Sequence, residues 1–338
     1  MHRKIKPVHH DQYCSFVACY IVMPCGIIMR ERIIPFGEFI WKEFITMGAK
    51  WGDRPGARYI KDVSGLTTIM LHLMPNRTES EVYLADKLDA TEIVKFIEKK
   101  NLEHDNYKTT IFHCVVFAIA KMINERPKMN RYVQGRRMYE RNEISMSFMA
   151  KRRFADNAEE AFMWIVPKAD DTIDTISHKI YGDVREVRKS EHADGGFDST
   201  VEAFSKIPRL LLMLVFKIIR WLNFWGRVPK ALTQGDSNHA TVLLSNLGSI
   251  GGPQVYHHLN NYGTNSIMVT VGTLHKEELL MPDGTRQMRD VLDIGVTMDE
   301  RIGDGFYFVR SLKLMKYLFE HPELLDRPFS EPSGFDYK

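Results

Sequence analysis

The residues VTMDERIGDGFYF (296–308) decide the fold. An apolar strand end, Val296-Thr297-Met298, meets a polar turn and then a helix start. Asp299, Glu300, Arg301 and Asp304 crowd that turn, with Gly305 after them. A run of charges beside an apolar strand is either a solvated turn or the rim of an active site. Upstream, RQMRDVLDIGVTMD (286–299) and SIMVTVGTLHKE (266–277) read as two strands joined by the hairpin signal MPDGT (281–285). ATVLLSNLGSIGG (240–252) is a further strand with a glycine-rich end, and FYFVRSLKLMKYLFEHPELL (306–325) a closing helix.

The earlier part of the chain mixes helices and strands. WGDRPGARYIKDVSG (51–65) reads as an arm or loop, and residues 81–88 as a strand. Asp89 with Glu92 is an N-cap signal for a helix reaching Asn101. TTIFHCVVFAIAKMINERPKMN (109–130) is the clearest helix: Thr109 or Thr110 caps it, and Ile111, Val115, Ala118 and Met122 form a stripe. Pro127 ends it. Gly135 marks a turn, ISMSFMA (144–150) alternates as a strand, and residues 159–191 give a strand followed by a charged helix from about Asp171. Separated strands and helices of this kind predict an α+β domain, a mixed β-sheet flanked by helices.

Composition excludes several classes. The 338 residues are 44% hydrophobic, ordinary for a globular core, and the net charge of +3 gives no push toward nucleic acid. Four cysteines without CxxC spacing make neither a disulfide scaffold nor a metal framework. Three of them lie in an uncharged run, residues 13–29, a weak signal or anchor candidate that Pro24 interrupts. Residues 1–46 are therefore set apart as an N-terminal extension, with 47–330 as one domain and 331–338 as a tail in a cytoplasmic protein. The segment 204–232 has no uncharged run long enough to span a bilayer. Arg209, Lys217, Arg220 and Asn223 share one narrow helical face there. It reads either as a helix buried on most sides, in the core or between subunits, or as an interfacial helix with cations at lipid headgroups.

The 13 histidines form no metal spacing, so no metal is expected. His113 lies in the apolar helix and reads as a satisfied core residue. There is no GxSxG elbow, no P-loop and no GxGxxG, and SNLGSIGG is a weak phosphate cradle.

Taken together, residues 240–280 and 289–325 resemble the C-terminal half of the catalytic domain of dihydrolipoyl acyltransferases. These are core subunits of the 2-oxo acid dehydrogenase complexes, with the chloramphenicol acetyltransferase-like fold. The helix ending in Pro127 and Asn130, and the strand in RNEISMSFMAKRRF (141–154), resemble the same family. The resemblance spans roughly residues 60–325 and is weakest at 155–235. The family's lipoyl domain and linker have no counterpart in this sequence.

The resemblance implies transfer of an acyl group between coenzyme A and a thiol, hydroxyl or amine acceptor, with acyl-CoA as substrate. In the family, a His in His-x-x-x-Asp-Gly is the general base, and a Ser or Thr stabilises the oxyanion. Ser245 matches the oxyanion donor; Asp304 and Gly305 match Asp-Gly; Glu300 stands where the His belongs. A free carboxylate is a weaker base toward a thiol than imidazole, though burial strengthens it. His239, His257 and His275 lie in the same region as Ser245 and are candidates for a substitute base. The resemblance also implies a homotrimer with active sites between subunits. Three readings follow: an acyltransferase using Glu300 or a substitute; an inactive relative that binds acyl-CoA or a partner; or a membrane-surface protein docking through 204–232.

Overall fold

In the computed structural model, residues 52–103, 106–151, 160–189, 204–233 and 235–337 are described. The extension 1–46, with its uncharged run 13–29, lies outside them.

The chain gives β1 (Ala57–Tyr59), α1 (Gly65–Leu73), β2 (Glu81–Asp89), α2 (Thr91–Glu103) and α3 (Ile111–Glu125). Strands β3 (Arg131–Gln134), β4 (Arg137–Arg141), β5 (Met146–Lys151) and β6 (Glu160–Ile165) follow. Then come α4 (Ile173–Lys189), α5 (Arg209–Trp225) and the short α6 (Lys230–Thr233). The motif region supplies β7 (Val242–Asn246), β8 (Ile267–Leu280), β9 (Arg286–Asp299) and α7 (Gly305–Glu320).

The hairpin of β8 and β9 is the axis of the molecule. It turns at 281–285 as the MPDGT signal predicts, with Met281 N donating to Thr285 O at 2.8 Å. The six-stranded sheet has the order β2-β9-β8-β7-β5-β6. It is mixed: β7 runs parallel to both β5 and β8, and the other pairs are antiparallel. A smaller sheet, β1-β4-β3, stands apart from it. Residues 51–65 are therefore more than an arm, because Ala57–Tyr59 pairs along β4.

Period-two alternation sends Leu244, Val269, Val271, Ile294 and Val296 to one face, where they join the core with Val115, Ile119, Phe308 and Met315. Helix α3 lies at the centre of this core. Thr110 caps it as expected, accepting from His113 N. The stripe predicted along it is not a stripe, because every residue from Phe112 to Ile123 is buried. The sheet covers one side, and α2, α4 and α7 pack against the others. Even Lys121 is enclosed, its ammonium donating to the Pro328 carbonyl at 2.9 Å. The chain's end wraps over the same helix, with Ser333 N donating to Glu125 at 2.7 Å.

Helix α5 is not a core helix of the single chain. Only Ile219 and Asn223 are buried along it. The Asn223 side chain accepts from Gln134 Nε2 at 3.1 Å. Arg209, Lys217 and Arg220 stay exposed, and so does much of the apolar surface: Leu210 is 81% exposed and Trp221 60%. The helix is thus not buried on most sides within one chain. Its C-terminal end is held where the Gly135 turn approaches the Phe224 carbonyl; a Cβ at Gly135 would lie 2.4 Å from that oxygen.

Candidate active site

The turn after β9 sorts its four charges. Asp299 is fully buried and takes Arg301 on both oxygens, Nε on Oδ1 and Nη2 on Oδ2, each at 2.7 Å. The Ser80 hydroxyl donates to Oδ1 at 3.0 Å, and Arg301 Nη1 donates to the Met74 carbonyl at 2.7 Å. Asp304 caps α7, accepting from Tyr307 N at 2.8 Å. Three of the four charges hold the turn together. Glu300 is the fourth. Its backbone N donates to Ser80 O at 2.9 Å, which fixes its position. Its half-buried carboxylate has no hydrogen-bond or ion-pair partner among the described residues.

Strand β7 delivers Ser245 to the sheet face away from the helices, beside Thr270 of β8. The loop residue Val255 crosses that face, its N donating to Thr270 Oγ1 at 3.3 Å. The next residues explain the SNLG spelling. Asn246 caps the 3-10 turn Leu247–Ile250 by accepting from Ser249 N at 3.2 Å. Gly248 permits that turn to sit on β8, since a Cβ there would lie 2.1 Å from the Gly272 carbonyl oxygen. Ser245 itself is half-buried, and its hydroxyl has no partner among the described residues.

One chain does not bring the two groups together. Ser245 pairs with Thr270, Thr270 pairs with Gly295, and Glu300 follows five residues later. Strand geometry then separates them by roughly 17 Å along the sheet and roughly 10 Å across it. The histidines near Ser245 in sequence have other attachments. His239 is paired with Asp236 at 3.1 Å. His275 donates to the Thr273 carbonyl, which with Glu277 and Asp293 raises its pKa. His257 is exposed, with Nδ1 on the His258 carbonyl. Among the described residues no group of three or more His, Cys, Asp or Glu is placed to hold a metal ion, and no helix is long and apolar enough to cross a membrane.

A cavity of about 430 Å³ opens next to the turn. Arg77, Arg136, Arg220 and Arg301 line it, with several amide side chains and no carboxylate. Sequence reasoning missed this feature. Its residues come from five separate segments, and those that stood out in the sequence, Gly135, Arg220, Asn223 and Arg301, did so for other reasons.

The mixed sheet and the helices packed on it give the α+β architecture that the sequence resemblance implies. Residues 228–326 match the family model of the 2-oxoacid dehydrogenases acyltransferase (catalytic domain). The lipoamide acyltransferase component of the branched-chain alpha-keto acid dehydrogenase complex of Bacillus subtilis is 22% identical over 251 residues, 72% of this chain and 48% of that protein. The chain thus spans about half the length of that curated relative. A probable dihydrolipoamide acetyltransferase from Listeria monocytogenes shares the fold: TM-score 0.52, 16% identity, 85% of this chain and 99% of that one. Residues 228–326 thus carry the sequence signature of that family's catalytic domain.

Proposed function

We propose that the protein transfers an acyl group between coenzyme A and a thiol, hydroxyl or amine acceptor at a site shared by two copies of the chain. Glu300 of one copy takes the acceptor's proton. The acceptor attacks the acyl carbon, and the oxyanion of the tetrahedral intermediate accepts a hydrogen bond from Ser245 of the next copy. Collapse expels the coenzyme A thiolate, which recovers the proton from Glu300. One observation carries the reading. The two side chains that match the family's base and oxyanion donor are both free of internal partners, while their neighbours are committed to structure. Their separation within one chain supports a shared site, and a homotrimer supplies it. The outward apolar face of α5 is a surface that such an assembly would cover.

The second reading is an inactive relative that binds acyl-CoA or a protein or membrane partner. It is favoured by a carboxylate in the place of imidazole, and by the same α5 face, whose segment 204–232 contains no acidic residue. Thiol release from acyl-CoA with a panel of acceptors separates the two. In the first reading the parent turns over, and Glu300→Gln and Ser245→Ala each lose about a hundredfold or more. In the second only Glu300→His shows turnover.

A further inference from the structure

We infer that the arginine-lined cavity is a binding site for a phosphate-bearing ligand. Arg77 forms its inner wall. It is 4% exposed, and its two Nη atoms donate to the carbonyls of Val133, Asn260 and Gly263. Its Nε–H is buried with no acceptor. A buried guanidinium donor without a partner is costly unless something else accepts from it. Burial already pushes the Arg77 pKa down to about 10. Asp299 opposes that shift through its charge, but its oxygens are taken by Arg301 and neither accepts from Arg77.

Arg136 and Arg220 line the same cavity. Both side chains are exposed, and neither has an ion pair among the described residues. Arg136 sits in the two-residue β3–β4 turn with φ of 59°, the same as Gly135 before it. A side chain at this position costs of order 1 kcal/mol where glycine would cost nothing. Arg220 comes from α5, which the Asn223–Gln134 bond ties to β3. Three elements thus bring cations to one hollow with no carboxylate in its wall. Guanidinium forks match the paired oxygens of phosphate. The volume lies within the range of small-molecule sites. No step of the acyl transfer proposed above is assigned to these three arginines; coenzyme A bears phosphates too, so to that extent the inference rests on that reading, and binding is read below without turnover.

The test is titration of the full chain with pyrophosphate by calorimetry, beside vesicles of phosphatidylcholine with and without phosphatidic acid. The expected result is saturable pyrophosphate binding, weakened tenfold or more in the double variant Arg136→Ala/Arg220→Ala and unchanged in Lys276→Ala. If only phosphatidic acid vesicles bind, and binding needs the same two arginines, the phosphate is a lipid headgroup and the site stands. If neither probe binds, or if Lys276→Ala weakens binding as much as the double variant, the cavity is surface charge only and the inference is overturned.

Discussion

Glu300 and Asp304 sit four residues apart in one turn and have opposite fates. Asp304 is fixed on the α7 backbone, and Glu300 is left without a partner. Asp304→Ala should therefore lower stability by about 1 kcal/mol, with Asp304→Asn nearly neutral because asparagine caps as well. Urea midpoints measure both. The turn's composition was legible in the sequence, but not its pairing. Only the fold shows that Asp299 and Arg301 neutralise each other within the protein. His113 carries a second residue-scale consequence. It is buried, as the sequence suggested, yet its Nδ1 has no partner, and burial lowers its pKa to about 4. The unfolded chain binds a proton there near pH 6.5, and the folded chain does not until about 4. Stability should thus fall as pH drops through that window, by up to about 3 kcal/mol. His113→Phe should flatten that slope in urea titrations at pH 7 and 4.5.

At the scale of elements, α5 shows what a helical wheel leaves open. The wheel finds that Arg220 and Asn223 share a face. It does not say which residues meet the protein, and here Ile219 and Asn223 do while Arg220 stays exposed. Asn223→Ala should leave the buried Gln134 amide without its acceptor, at a cost of roughly 1–3 kcal/mol. Amide exchange along residues 209–225 should then speed up more than exchange in α3. Helix α3 misled in the other direction. Its stripe was real in the sequence, but burial extends all round because sheet, helices and the chain's end enclose it. Strand β1 went unread because three residues are too few for a pattern, and its pairing is non-local. The long β8–β9 hairpin was legible because turn chemistry and alternation agree along its whole length.

At the scale of the molecule, the sheet order separates the two groups that the proposed acyl transfer uses. The motifs named Ser245 and Glu300, but their separation appears only once β7, β8 and β9 are in register. The cavity was invisible for a similar reason, since residues from distant segments line it. The central claim is that Ser245 and Glu300 act together across two copies. Its most direct measurement is acyl transfer by Ser245→Ala and Glu300→Gln proteins, alone and after co-assembly from a mixed unfolded pool. The account predicts that each is inactive alone. Mixed assemblies should regain up to roughly a quarter of the parent rate, because some interfaces then pair an intact Ser245 with an intact Glu300. A mixture as inactive as its components, beside an active parent assembled the same way, would contradict it.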